Sequence, residues 1–490
     1  MGAPDVASAE GGRLRVCVVG AGLSGLVAAK TFHQDGHDVT VYERDGDIGG
    51  VWAPRRGYPG LGTQTPGGQY AFSDFPCDMS PWPSAGEVLA YLRAYAGHFG
   101  ITPLIRFRSR VTAAVRRGET GWAVTVEGPD GRRTGEFDFL LVCNGTFDVP
   151  KLPKLPGSER FEAAGGVVRH SRETGGPGLF QDKRVVVVGY GKSAVDIATY
   201  AAGHAQQVHL VVRRPIWQVP KRLGGLLPVR LLCTSRLWES LMPRRSPGAG
   251  SPWRRLLPVC WRGLERLLEK QFRLVECGLK PEHRLADQLS SGLQVVPDGF
   301  FPHVRAGRIR IARGSAEFLD EQGVVLADRR SLSADLVVLA TGYRQSLSFL
   351  APYVRERVID PEGRYRLYRG LLSPEVPGLA FVGYNASLFT ATTSEVGARW
   401  LAAYAGGRLR LPGRDVMNRR IDTELSVGRA TRPLTRRFTG IVVAPYTYAY
   451  LDQLLEDLGA PQRVGVRGFF RPFDPATYAS TSTPPVRSLT

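Results

Sequence analysis

The chain has 490 residues, 43% of them hydrophobic and 22% charged; this suits an ordinary globular protein of two or three domains and argues against a disordered or fibrous one. Its net charge of +19 rests on 64 Lys and Arg, of which only eight are Lys. They are spread along the whole chain without a nucleic-acid-binding motif, so no nucleic-acid partner is expected, and the basic surface suits anionic cofactors. No apolar run approaches the roughly 18 residues of a membrane span. The opening MGAPDVASAEGGRLR lacks the basic-then-apolar order of a secretory signal. A cytoplasmic protein is expected, with membrane association disfavoured. The six cysteines form no CxxC pair and no Cys/His ligand spacing, which removes disulfide-reductase chemistry and a metal site.

In chain order, the first strong pattern is RVCVVGAGLSGLVAAKTFHQDGHDVTVYERD. An apolar strand from Val16 to Val19 runs into the turn Gly20-Ala21-Gly22-Leu23-Ser24-Gly25, a helix follows, and a second strand ends at Glu43. Gly20 permits the tight turn, Gly22 lets a pyrophosphate approach the backbone, and Gly25 allows close helix–strand packing. The helix start offers N–H groups and a partial positive charge to phosphate. Glu43, 18 residues beyond Gly25, is placed to accept hydrogen bonds from a ribose diol. Together these predict a dinucleotide site.

A second such site is predicted from RVVVVGYGKSAVD, Arg184 to Asp196. Gly189, Gly191, Lys192, Ser193 and Ala194 form the turn, with Asp196 in the helix; Ala194 stands where the third glycine would be, and a methyl group still packs closely there. The next strand, VHLVVRRP, ends in Arg213 and Arg214 rather than an acid. Arginine there pairs with the 2′-phosphate of NADP, so NADPH is expected over NADH.

Glu43 is followed by five residues and then Gly49-Gly50-Val51-Trp52, and the blocks FSDFP, LLVCNGTFDVPKLPKLPG, GLKPEHR, DLVVLATGY, PGLAFVGYN and SEVGARW come later. With these motifs the chain resembles the class B flavoprotein monooxygenases, in particular the flavin-containing monooxygenases, relatives of the Baeyer-Villiger enzymes. The resemblance spans nearly the whole chain. It implies an α/β fold of the three-layer type, with two Rossmann-like dinucleotide-binding domains and the NADPH domain inserted into the FAD domain. The expected division is 1–150 and 331–474 for the FAD domain, 151–330 for the NADPH domain with a helical insert at about 223–275, and a tail at 475–490. The cofactors implied are FAD and NADPH. Gly50, Val51 and Trp52 would lie along the flavin, and Gly342 closes the Ala-Thr-Gly strand end that returns to the FAD domain.

Three departures from the family pattern bear on mechanism. In FEAAGGVVRHSRET the Gly166, His170 and Ser171 of the fingerprint are kept, but Phe161 is displaced and Thr174 stands where an aromatic belongs. In Thr63-Gln64-Thr65, glutamine replaces the asparagine that in the family reaches the flavin and the nicotinamide. It keeps the amide but adds a methylene, and Gln64 is the candidate catalytic residue. Gly397 stands where the family commonly has glutamine.

The segment from Arg222 to Val275 contains WRGLERLLEKQFRLV, apolar at helical spacing with arginines on the other face. It is read as an insert packed on the NADPH domain, a lid over a substrate channel, or a membrane-contacting helix. RRSPGAGSP is read as a loop tip, and the last residues as a loosely docked tail.

The resemblance implies a monooxygenase that uses NADPH and O2, forms a C4a-(hydro)peroxyflavin, and passes one oxygen atom to a small-molecule substrate at nitrogen or sulfur. The alternatives are Baeyer-Villiger or other carbon oxidation of a ketone-type metabolite, a flavin reductase or oxidase without oxygen transfer, and a non-catalytic redox sensor. Neither substrate nor oligomeric state is legible.

Overall fold

Two runs of valines organise the molecule. The computed structural model describes residues 12–119, 121–229, 233–242, 257–289, 292–431, 434, 439–479 and 487–489. In chain order the elements that matter for the site begin with β1 (Arg15–Val19), α1 (Leu23–Gln34), β2 (Asp38–Tyr42), β3 (Ile105–Arg106), β4 (Phe139–Val142) and β5 (Val167–His170). They continue with β6 (Arg184–Val188), α2 (Lys192–Ala201), β7 (Gln207–Val212), α3 (Leu257–Phe272), β8 (Ile309–Arg313), β9 (Leu336–Leu339), β10 (Leu379–Phe381) and α4 (Thr390–Ala405).

One five-stranded sheet runs β10-β4-β1-β2-β3 and the other β8-β7-β6-β9-β5. Every pairing in both is parallel. Parallel sheets are covered on both faces, which is why their strands read as unbroken apolar runs. In β1, Val16 and Val18 face the helical core that holds α1 and α4. Cys17 and Val19 face the opposite core, against Trp122, Val124 and Phe137 of a three-stranded antiparallel sheet. In β6, Val185 and Val187 pack on α2, while Val186 packs on Phe161, Leu319 and Val324. Side chains alternating across a strand therefore build helix, parallel sheet and antiparallel sheet as three layers in each half.

The first sheet takes strands from both ends of the chain, and the second is made wholly from what lies between. The two connections meet: Val149–Pro150 pairs antiparallel with Tyr343–Arg344. Lys151 N–H donates to Gly342 O at 2.9 Å, and Thr341 Oγ1 donates back to Lys151 O at 2.5 Å.

His170 lies against this crossing. It is 1% exposed, and its Nε2 is 3.1 Å from Gly342 O. Its Nδ1 accepts the Arg172 N–H at 3.3 Å, so the proton sits on Nε2 and the ring is neutral. Burial pushes its pKa below the ordinary histidine value. Phe161, displaced in sequence, still covers Gly166: a Cβ there would run into its ring. Thr174 is fully buried, its hydroxyl donating to Ser171 O at 2.8 Å.

Of the Arg222–Val275 segment, α3 is packed onto the second domain through Trp261, Leu268 and Phe272. Its Glu265 accepts from Leu285 N–H and Arg284, both at 2.8 Å. RRSPGAGSP lies outside the described residues, as do 480–486 and 490 of the tail. Among the described residues no helix is long and apolar enough to cross a membrane.

Candidate cofactor and active site

Both G-x-G turns end in a helix that starts without a cap. Gly22 precedes α1 and Gly191 precedes α2, each in extended conformation and each without a side-chain bond to the first-turn N–H groups. Glycine at the cap position costs roughly a few tenths of a kcal/mol relative to a capping side chain. The same chain caps other helices: Ser84 and Glu87 form a full capping box on Ala85–His98. Neither α1 nor α2 has an acid in its first turn. The donors and the positive helix end are thus left for an anion.

The glycines shape the space before these donors. A Cβ on Gly25 would be driven into the carbonyl oxygen of Gly20, so α1 can approach β1 only with glycine there. Gly50, at φ +57°, faces Gly22, and a Cβ on it would lie 3.2 Å from the Gly22 Cα. Gly49 N–H donates to Ala21 O at 3.0 Å, pinning the second glycine loop onto the first. Glu43 Oε2 accepts the Ala21 N–H at 2.7 Å and Oε1 the Asp45 N–H at 2.9 Å. A carboxylate has about four acceptor positions, so Glu43 is fixed and retains capacity for a diol.

These groups line a cavity of 690 Å³ at the boundary of the two domains. Gly20, Gly22, Leu23, Ser24, Glu43, Gly50, Val51, Trp52, Thr63, Gln64 and Thr65 line it from one side, and Gly191, Lys192, Ser193 and Gly342 join from the other. Ala21, Gly25, Gly189, Ala194 and Asp196 lie in or behind the turns and do not line it. Asp196 is buried and holds Lys192, whose Nζ is 2.6 Å from Oδ2. Arg213 and Arg214 stand exposed just beyond the end of β7, next to the second turn but outside the cavity; Gly189 N–H donates to Val211 O there at 3.1 Å.

Trp52 is held edge-on to Tyr70, with its Nε1 3.1 Å from the phenol oxygen. Thr63 Oγ1 donates to Thr65 O at 2.7 Å, and Thr65 Oγ1 to Leu388 O at 2.6 Å, which fixes the loop between them. Gln64 projects from that loop. Its Oε1 accepts the N–H of Val295, across the domain boundary, at 3.3 Å. Among the described residues its Nε2 donor has no hydrogen bond. Gly397 does not reach the cavity. It packs under Leu371, where a Cβ would come within 2.9 Å of Cδ2, so Leu371 fills the space a longer side chain would need.

Several cavity groups were not singled out in the sequence. Tyr58 donates to Asp196 at 3.1 Å. Asn144 is fixed by Ser346 O and the Tyr384 hydroxyl, at 2.7 and 2.6 Å. Arg44 pairs with Asp148 and Arg56 with Asp45, each at 2.6 Å, while Arg172 has no ion pair among the described residues. Burial, with Arg56 and Arg44 nearby, lowers the Arg172 pKa, so this wall is rich in positive charge. Apart from Arg56 with Asp45, these contacts join residues far apart in sequence, and no local pattern signals them. Gly383 is different: at φ +86°, with a Cβ there colliding with Ser24, it is a glycine just after an apolar strand, and that position was the available signal.

The family described as flavin-binding monooxygenase-like matches residues 13–464. A probable flavin-containing monooxygenase 1 of Arabidopsis thaliana is 31% identical, covering 91% of this chain and 92% of its own length. Flavin-containing monooxygenase 5 of Mus musculus is 30% identical over 92% of this chain and 83% of its own. Among solved structures, an S-allyl-L-cysteine S-oxygenase from Allium sativum has a TM-score of 0.64 at 22% identity, covering 93% of this chain and 90% of that one. A steroid monooxygenase bound to NADP has a TM-score of 0.69 at 21% identity, covering 91% and 97%. These two likenesses concern the fold, two dinucleotide-binding domains built on parallel sheets. The family match over most of the chain and the two relatives at 30% identity or more carry the conclusion: this chain belongs to the flavin-containing monooxygenases of the class B flavoprotein type.

Proposed function

We propose that the protein is an FAD- and NADPH-dependent monooxygenase that transfers one oxygen atom of O2 to a small-molecule substrate at nitrogen or sulfur. The observation that carries this reading is the meeting of two uncapped G-x-G helix starts in one cavity that Gln64 also lines. One turn alone would suit many nucleotide-binding proteins; two facing a common space suit electron transfer between two dinucleotides. When bound, the flavin supplies the oxygen-activating chemistry and the nicotinamide the hydride.

The chain's own residues bind, orient and enclose. The Gly20–Gly25 turn and the N-terminus of α1 would hold the FAD pyrophosphate, Glu43 the ribose, and Gly50, Val51 and Trp52 one side of the ring system. The Gly189–Ala194 turn with Lys192 and Ser193 would hold the NADPH pyrophosphate. Arg213 and Arg214 would meet the 2′-phosphate, where a fork of donors matches phosphate geometry. Gln64 would donate from Nε2 toward the reacting region, its Oε1 being anchored on Val295. A donor fixed before reaction costs no reorganisation when charge develops.

Anaerobic addition of NADPH to the purified FAD-loaded protein tests the shared cavity. Bleaching of the oxidised flavin band, faster with NADPH than with NADH, is expected. Absence of reduction by either nucleotide would overturn the reading.

A further inference from the structure

We propose that a small apolar chamber behind Gln64 seats the substrate's carbon chain, and that it selects an uncharged short-chain substrate, a dialkyl thioether rather than an alkylammonium ion. This rests on the oxygen-transfer reading above. The chamber has a volume of 80 Å³, about half of the roughly 150 Å³ that accommodates benzene in an engineered cavity. It therefore suits a chain of a few carbons. Trp82, Val229, Trp238, Met242, Leu289 and Phe389 form its walls.

The chamber adjoins the cofactor cavity. Gln64, Thr65, Leu293 and Leu388 line both spaces. A chain seated among the tryptophans would present its next atom at the Gln64 amide, where the two dinucleotide turns converge. The Arg222–Val275 segment thus does two things: α3 packs on the second domain, and Val229, Cys233, Thr234, Trp238 and Met242 help wall the chamber.

Charge decides the class. No Asp, Glu, Lys or Arg lines the chamber among the described residues. The charged groups nearby are already engaged. Glu239 accepts the N–H groups of Tyr448 and Ala449 at 2.7 and 2.9 Å. Lys221, over the Trp82 ring, pairs with Asp298 at 3.1 Å, and Arg236 pairs with Asp452. Burial pushes the Cys233 thiol up to about 12, so it stays neutral. An ammonium ion entering this space would lose its hydration without a counter-charge, which is strongly unfavourable; a thioether loses little. In the balanced reaction one dialkyl thioether, one O2, one NADPH and one proton give one dialkyl sulfoxide, one water and one NADP⁺. Sulfur is oxidised by two electrons, NADPH supplies two more, and the second oxygen atom leaves as water.

The test uses the holoprotein with FAD and NADP⁺, and a matched pair of probes, methyl propyl sulfide and N,N-dimethylpropylamine. Binding is read by equilibrium dialysis from pH 7 to 9, and product by mass spectrometry. At pH 7 the sulfide should bind at least about tenfold more tightly. The amine's apparent affinity should rise about tenfold per pH unit as its neutral form appears, while the sulfide's stays constant. Leu289→Asp should reverse the preference at pH 7, whereas Leu289→Asn should weaken the sulfide without gaining the amine. If Leu289→Asp does not fold, the wild-type pH dependence decides alone. Equal binding of the two probes at pH 7, or amine binding independent of pH, overturns the proposal. Selective sulfide binding without sulfoxide would uphold the chamber and overturn the oxygen-transfer reading; equal oxidation of both probes with equal KM would do the reverse.

Discussion

The Tyr58 hydroxyl donates to the Asp196 carboxylate at 3.1 Å, joining the first domain to the helix that begins the second dinucleotide turn. The same carboxylate receives Lys192, which lines the cavity. Burial raises the Tyr58 pKa well beyond its ordinary value, so the phenol remains a donor throughout the working pH range. Tyr58→Phe should lower stability by about 1.5 kcal/mol, the value typical of a hydrogen bond to a charged group. Thermal unfolding followed by flavin fluorescence checks it, and an unchanged midpoint would mean the bond is absent in solution.

The two turns differ at their third small residue, and the structure makes the difference measurable. Gly25 has the Gly20 carbonyl where a Cβ would go, whereas the second turn already carries Ala194, fully buried. Gly25→Ala should cost about 3 kcal/mol through forced overpacking and release FAD during purification. Ala194→Gly should cost only about 1 kcal/mol and retain it. Flavin-to-protein absorbance ratios and thermal midpoints of the two variants decide this.

Arg213 and Arg214 are exposed and lie outside the cavity, where a 2′-phosphate, but not a 2′-hydroxyl, would engage them. Replacing both with Ala should weaken NADPH at least about tenfold, since charge-assisted bonds contribute about 1.5–3 kcal/mol, and leave NADH nearly unchanged. Equal losses for both nucleotides would remove these residues from cofactor selection.

His170 predicts an acid sensitivity. Its folded pKa is depressed by burial, and protonation would abolish the acceptor that Nδ1 offers Arg172. With a folded value below the unfolded one, the unfolded chain takes up a proton that the folded chain refuses. Stability is therefore complete above about pH 6.5 and falls as pH drops below it. His37 and His209 are shifted the same way by burial. The thermal midpoint should decline from pH 7 to 5.5, and His170→Gln should make that decline shallower. An unchanged slope would remove His170 from the effect.

Local pattern made part of this molecule legible. The valines of β1 and β6 announce strands because both faces are covered, and each glycine turn announces the helix behind it. Trp261, Leu268 and Phe272 repeat at helical spacing, and these are the apolar side chains α3 buries, with Glu265 among them. What sequence could not give is which distant groups meet. Tyr58 and Asp196 are separated by 138 residues, and Gln64 and Val295 by 231. Phe161, displaced in the fingerprint, still covers Gly166, because a ring can be delivered from a different offset when a short helix intervenes. Gly397, where the family commonly has glutamine, has its space filled by Leu371.

The fate of isotopic oxygen tests oxygen transfer most directly. The FAD-loaded protein, NADPH and methyl propyl sulfide are combined under ¹⁸O2, with NADPH consumption, sulfoxide and hydrogen peroxide all quantified. One ¹⁸O atom per sulfoxide and close to one sulfoxide per NADPH are expected, with peroxide a minor product. Consumption of NADPH with stoichiometric peroxide and no labelled product from this sulfide, or from any amine or other sulfide tried, would contradict oxygen transfer and leave a flavin oxidase.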